Sequence, residues 1–314
     1  MLTDAQLQMR REGLTATDMT VLAGVSPYGR TAHDVYLDKM GLSEPSATTA
    51  SMGLGNRLEP VALALLADER GLTISPGTTE KHPIMPWVIA SPDGNVLDGD
   101  TGHRVAVAEA KAVGLRMAHR WGESGDANAI PDDVRVQVQW QMITTRTPLA
   151  HIVALLGTEA RFYEVGHDED LSGALLELGD AFWRERVLAK SPPDIDGSEA
   201  SARMIRGLFR KATLALVAAP PEASDLVQQF LLAKAAAEKA EQNEAAAKAR
   251  LCAIIGEHEG LRGNGWTATW KTRAGAPDWK SLAEKLGATK ALAEEYRREG
   301  PRVLTVKLDK TEAA

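Results

Sequence analysis

Apolar positions along the first two-thirds of the chain recur alternately with helical and strand spacing. Residues 15–24 read as a short helix with Thr15 or Thr17 as its cap. A turn at Ser26-Pro27-Tyr28-Gly29 leads to a second helix, 31–39, stopped by Gly41. A third helix covers 52–70 and ends at Gly71. Short strands are predicted at 72–75, 78–82 and 86–90, and 104–112 alternates as a strand should. After a Gly/Asn/Pro loop at 122–131, Pro131 opens a helix to Arg146. Strands near 149–156 and 160–165 then precede a helix over 168–190. Such alternation predicts an α/β core with a mixed sheet.

The pattern changes after SPPDIDGSE, residues 191–199, which reads as a linker. Residues 222–258 are rich in Ala, Glu and Lys with many pairs at helical spacing, so a long helix is expected. Its apolar stripe of Leu226, Phe230, Ala233 and Ala237 is thin, which suits an arm or hairpin better than a core. A small α/β end is expected from GWTATWKTR as a strand, 278–298 as a helix and RVLTVKL as a last strand. The predicted organisation is a domain at 1–190, a linker at 191–199, and an extension at 200–314 for assembly or partner contact.

Composition narrows the chemistry. The 314 residues are 44% hydrophobic and 25% charged, enough for a real core and too apolar for bulk disorder. One cysteine, Cys252, excludes an intrachain disulfide framework and a Cys-based zinc or iron–sulfur site. The start carries no apolar signal core and no apolar run is long enough to span a bilayer, so the expected compartment is the cytoplasm. Net charge is −7, but unevenly spread: residues 1–190 hold 17 Lys+Arg against 26 Asp+Glu (−9), and residues 191–314 hold 19 against 17 (+2). A basic track can still bind phosphate, and a carboxylate cluster for a cation would itself make the first part acidic.

Three charges stand out. Glu109 and Lys111 are two apart on an otherwise apolar strand, so they share a side with Val105 and Val107. Asp93 closes the preceding strand, in PWVIASPDG. Each alone has an ordinary reading, as an edge-strand pair or a turn aspartate. Together they place two carboxylates and an ammonium at neighbouring strand ends. Two carboxylates repel unless a cation neutralises them, and hard oxygen ligands suit Mg²⁺ or Mn²⁺.

The order Asp93, then Glu109-x-Lys111, resembles the active site of the PD-(D/E)xK nuclease superfamily. Several stretches in order resemble the YqaJ-like viral recombinase family, which includes lambda-type exonucleases: REGLTATD and AGVSPYGRTAHDVYLDKMG (11–41), GLGNRLEP (53–60), HPIMPWVIASPDG (82–94), EAK (109–111), IPDDVRVQVQWQM (130–142) and FWRERV (182–187). The resemblance implies a restriction-endonuclease-like core with a mixed central sheet flanked by helices. It implies an Mg²⁺-dependent 5′→3′ exonuclease on double-stranded DNA ends that leaves 3′ overhangs. It also implies a homo-oligomer and a single-strand annealing protein as partner, in a phage or prophage setting inside a bacterial host. On this basis Glu59, Asp93 and Glu109 are metal ligands, with the backbone carbonyl of Ala110, while Lys111 and Gln137 complete the catalytic set. Arg11, Thr17 and Ser91 are the expected phosphate-binding residues. Where family members often have Tyr, this chain has Val134. The alternatives left open are an endonuclease or repair nuclease of the same superfamily, and a non-catalytic DNA recombination scaffold.

Overall fold

The computed structural model describes residues 4–43, 49–209, 216–272 and 278–287, with positions 289, 292 and 295. The chain divides into two compact units, residues 1–209 and 210–314.

In the first unit, α1 (Asp4–Arg11) leads to a two-residue strand β1 (Leu14–Thr15) and helix α2 (Ala16–Leu22). Thr15, not Thr17, is the cap: Thr15 and Asp18 bond each other's backbone in a capping box. Helix α3 (Ala32–Lys39) is followed by α4 (Ala50–Arg70), capped by Thr49 and ended by Gly71 at φ 63°. Four short strands follow, β2 (Thr73–Pro76), β3 (Glu80–Lys81), β4 (Val88–Ala90) and β5 (Gly94–Leu97). The long strand β6 (Arg104–Val113) precedes α5 (Asp132–Thr145), β7 (Leu149–Leu156) and β8 (Glu159–Gly166). Helix α6 (Glu169–Phe182) runs on into a π-helical turn, Trp183–Leu188.

The central sheet has the order β2-β5-β6-β7-β8 and is mixed, because only β6 and β7 run parallel. Helix α5 covers one face through Val134, Val138 and Met142 against Val107, Ile152 and Tyr163. Helix α4 covers the other through Ala62 and Leu66 against Ala106, Ala108 and Val153. The result is the expected α/β core with its sheet between helices. A second sheet, β1-β4-β3, joins it beside α2 and α5. Trp140 of α5 ties the two together: its Nε1 donates to the carbonyls of Leu14 and Ile89, both at 3.1 Å.

The compact unit continues past the expected linker at 191–199. His33 Nε2 meets the Asp194 carbonyl at 2.9 Å, and Arg186 donates to the Pro192 carbonyl. Helix α7 (Glu199–Leu208) then packs Met204 against Tyr36 and Leu37 of α3. A Pro/Asp/Gly-rich stretch is therefore held down by its neighbours, and the unit ends at Phe209 rather than residue 190.

In the second unit, α8 (Pro221–Ile255) is the expected long helix. A hairpin of β9 (Gly260–Gly263) and β10 (Trp266–Thr269) precedes α9 (Trp279–Lys285). The expected last strand, RVLTVKL, lies outside the described residues. No helix among the described residues is long and apolar enough to cross a membrane.

Candidate active site

Strand β6 carries the charges. Its odd positions face α5 and its even positions face α4, as strand alternation requires. Val107 is buried, while Val105 on the same side is exposed, so the apolar stretch before Glu109 is shorter than the sequence suggested. Glu109 is almost wholly buried, 1% exposed, a costly place for a carboxylate without partners. It has three. Lys111 Nζ donates to Glu109 Oε1 at 2.5 Å, and Gln137 Nε2 donates to the same oxygen. Gln141 Nε2 donates to Oε2 at 2.7 Å. Lys111 also donates to Gln137 Oε1 at 2.9 Å, closing a ring of Glu109, Lys111 and Gln137.

Asp93 comes from the turn between β4 and β5. The β5–β6 ladder reaches Gly94 opposite Ala108, and one step further Asp93 Oδ2 takes the Ala110 N–H at 2.8 Å. Within a strand the N–H and C=O of one residue face the same side. The Ala110 carbonyl therefore turns toward Asp93 too, which suits its expected role as a backbone ligand. The turn is pinned by Gly77, whose N–H donates to the Asp93 carbonyl at 3.0 Å. A Cβ on Gly77 would run into the Pro92 carbonyl, so glycine is required there by close approach.

The electrostatics follow from burial and these neighbours. Burial, then Glu109, pushes the Asp93 carboxyl well above its ordinary value of 3.8. Burial pulls the Lys111 ammonium down, but Glu109 and Asp93 outweigh it and hold its pKa above the ordinary lysine value. Glu59, on α4, is raised by burial and then by Glu109. Glu59 thus lies within electrostatic range of Glu109 and Lys111. Its Pro60 sits in mid-helix, the eleventh residue of α4, so Glu59 is not a first-turn acid.

Among the described residues, no three His, Cys, Asp or Glu side chains stand close enough to hold an ion as arranged. The donor chemistry nonetheless fits a hard cation. Asp93 and Glu109 repel each other across the turn, the Ala110 carbonyl faces the same space, and Lys111 brings a positive charge beside them. The side chains that would complete the set are Glu59 and the Oε1 of Glu109, which Lys111 and Gln137 now occupy.

The three glutamines of α5 separate cleanly. Gln137 and Gln141, one turn apart, both meet Glu109. Gln139 points away, bonding the Gly166 carbonyl and the Asp168 N–H at the β8–α6 turn. The sequence reading took Gln137 and missed Gln141, although the i, i+4 spacing placed it on the same face. Val134 is buried in the core, so the hydroxyl of the family's usual Tyr has no counterpart there.

The expected phosphate-binding residues are only partly brought together. In the parallel β1–β4 pair, Thr15 stands opposite Ile89. Thr17 and Ser91 each lie two residues beyond that pair and so emerge at the same end. Thr17 is exposed in the first turn of α2, and Ser91 Oγ is 2.7 Å from Thr79 Oγ1. Arg11 is exposed at the end of α1, three residues before β1, and thus enters from the other end of that strand. The base of this end is a buried ion pair: Lys39 Nζ lies 2.6 Å from Asp18 Oδ2 and donates to the Arg10 carbonyl at 2.7 Å.

The chain is similar to the uncharacterized protein YqaJ of Bacillus subtilis (strain 168), 24% identical over 242 residues, which cover 74% of this chain and 71% of that protein. Among solved structures it is similar to LHK-Exo, an alkaline exonuclease from Laribacter hongkongensis. That match is 20% identical with a TM-score of 0.48, covering 60% of this chain and 94% of the other. A phage-related exonuclease from Haemophilus somnus 129PT matches at 11% identity and a TM-score of 0.43, covering 57% and 95%. The family model of the YqaJ-like viral recombinase domain matches residues 6–148, the span that holds Glu59, Asp93, Glu109, Lys111, Gln137 and Gln141.

Proposed function

We propose that the protein is a divalent-cation-dependent deoxyribonuclease that degrades duplex DNA from its ends, 5′→3′, leaving 3′ overhangs for recombination. The observation that carries this reading is the buried Glu109 held against the part-buried Asp93 and Lys111, where the β4–β5 turn meets strand β6. An arrangement with this desolvation cost has no structural need at a sheet end. The exonuclease names of the similar structures, and the recombinase family, point the same way.

Asp93, Glu109 and the Ala110 carbonyl would hold Mg²⁺ or Mn²⁺, joined by Glu59. A bound cation of this kind neutralises the carboxylates, polarises the scissile phosphate and acidifies an attacking water. Lys111, an ammonium in contact with Glu109, would act as a donor that orients the nucleophile and meets charge developing on the phosphate. Gln137 holds Lys111 and Glu109 in register. Thr17 and Ser91, emerging at one end of the β1–β4 pair, would receive the terminal 5′ phosphate, with α2's first-turn N–H groups favouring the anion. Arg11 would have to reach this site by its long side chain. A homo-oligomer around DNA would explain how an acidic protein holds a polyanion, since basic residues need only line the channel. A single-strand annealing protein is the partner that a 3′-overhang product calls for, and the second unit is the proposed place for such contacts.

The test is an assay on linear duplex and on closed circular DNA, with Mg²⁺ and with EDTA. End-trimming of the linear substrate alone supports this reading. Cleavage of the circle would indicate an endonuclease, and no cleavage of either a scaffold. Digestion from 3′ ends would remove the proposed polarity.

A further inference from the structure

Gln141 is fully buried on α5, and its Nε2 donates to Glu109 Oε2 at 2.7 Å. That bond fixes the amide. A flip would set Gln141 Oε1 against Glu109 Oε2, two acceptors with no proton between them. Oε1 is therefore committed to the other direction, and there it has no donor. Among the described residues it is the buried side-chain polar atom left without a hydrogen-bond partner. Buried carbonyl oxygens in folded proteins are nearly always satisfied, by protein or by an ordered water. The donors nearest Glu109, on Lys111 and Gln137, are aimed at its Oε1 and at each other rather than at Gln141.

We propose that Gln141 is a positioning residue with two roles on one amide. Nε2 anchors the Oε2 of Glu109, and Oε1, on the other side of the amide, accepts a hydrogen bond from a bound water that holds the amide in this orientation. The two oxygens of Glu109 then differ in function. Oε2 is pinned by a buried donor that cannot leave. Oε1 is held by Lys111 and Gln137, which are both part-exposed and can release it to a cation or to an incoming phosphate's water. Removing Gln141 would free the carboxylate to turn and would also empty the water position. Partners that orient a ligating carboxylate in this way are typically worth about 10- to 100-fold in activity or cation affinity.

The kinetic consequence rests on the nuclease reading; the structural one does not. The experiment pairs crystal structures of the wild type and Gln141→Met with steady-state digestion of linear duplex and Mn²⁺ titration by calorimetry. Methionine keeps the volume and removes both polar atoms. In the wild type, a water should lie within hydrogen-bond distance of Gln141 Oε1. In Gln141→Met, that water should be gone and the Glu109 carboxylate rotated, with kcat reduced about 10- to 100-fold, weaker Mn²⁺ binding and KM nearly unchanged. Gln141→Glu is the second variant: it keeps the acceptor but sets a carboxyl against Glu109, so the water should stay while the pair shares a proton and Mn²⁺ binding weakens. An empty Oε1 position in the wild type, or an unmoved Glu109 in Gln141→Met, would overturn the proposal. A kcat within twofold of an active wild type would overturn it as well. If the wild type were inactive yet showed the water and the pinned Glu109, the nuclease reading would fail and the positioning role would stand.

Discussion

Replacing Lys39 by Met tests how the proposed phosphate end is built. Both side chains of the Lys39–Asp18 pair are nearly inaccessible, at 1% and 3%. Lys39 Nζ is the cation for Asp18 and the donor for the Arg10 carbonyl, so it links α3 to α2 and to the end of α1. Asp18 also accepts from the Thr15 N–H at 2.9 Å and the Thr15 hydroxyl at 2.7 Å. The substitution takes the closer cation from the buried Asp18 and leaves the part-exposed Arg30 guanidinium 3.7 Å from its Oδ1, so the cost should lie toward the lower end of the range of about 3–5 kcal/mol for a broken buried pair. The same figure follows from a lost charged hydrogen bond, about 1.5–3 kcal/mol, plus an orphaned carbonyl at about 1–3 kcal/mol. With a urea slope of about 2–3 kcal/mol/M, the unfolding midpoint should fall by roughly 1–2.5 M. Adding Asp18→Asn to Lys39→Met removes the stranded charge, and at least half the loss should return. Burial alone would raise Asp18, but Lys39 and Thr15 outweigh it and hold its pKa below 3.8. The stabilisation is therefore present above pH 3.8 and is lost as pH falls through the lowered folded value. Urea titrations at neutral pH and near pH 3 measure both effects. A loss under about 1 kcal/mol at neutral pH, or one unchanged by Asp18→Asn, would refute the reasoning.

Three other outcomes are expected. Asp93 has a raised folded pKa, so without added cation the protein should lose stability as pH rises from 3.8 through that value; Asp93→Asn should flatten this slope and unfold later in EDTA, as thermal melts across pH would show. Gly77→Ala should displace the Pro92-Asp93 turn, lowering both melting temperature and activity, whereas Gly55→Ala on α4, whose Cβ meets nothing within 4 Å, should leave stability unchanged or raise it. A chain cut after residue 209 should fold cooperatively, while a cut near residue 195 strips Met204 from Tyr36 and Leu37 and should melt several degrees lower in calorimetry.

Periodicity revealed most of the core because its long elements bury clear stripes. Strand 104–113, helix 132–145 and strands 149–156 and 159–166 lie within a residue or two of their expected bounds. Short elements were less visible. Strand β5 is four residues, Gly-Asn-Val-Leu, and its turn-forming start hides it. Strand β1 is two residues and exists only because β4 pairs with it. The segment 191–199 has a linker's composition, and its contacts with α3, the π-helical turn and α7 hold it down. At the site, Asp93, Glu109 and Lys111 were legible because charges interrupt apolar strands. Gln141 was not, because glutamines at 137, 139 and 141 look alike until the helix phase is fixed. Thr17 and Ser91 converge only through the β1–β4 pairing, which no sequence spacing encodes.

The most direct test of the nuclease assignment is release of nucleotides from a 5′-phosphorylated linear duplex, with Mg²⁺ and with EDTA, by wild type, Asp93→Ala, Glu109→Ala and Lys111→Ala. Wild type should degrade the duplex only with the cation, and each variant should fold yet lose about 10²-fold or more of the rate, as expected when charge-stabilising groups are removed. Wild-type rates in Asp93→Ala or Glu109→Ala, or full activity in EDTA, would contradict it.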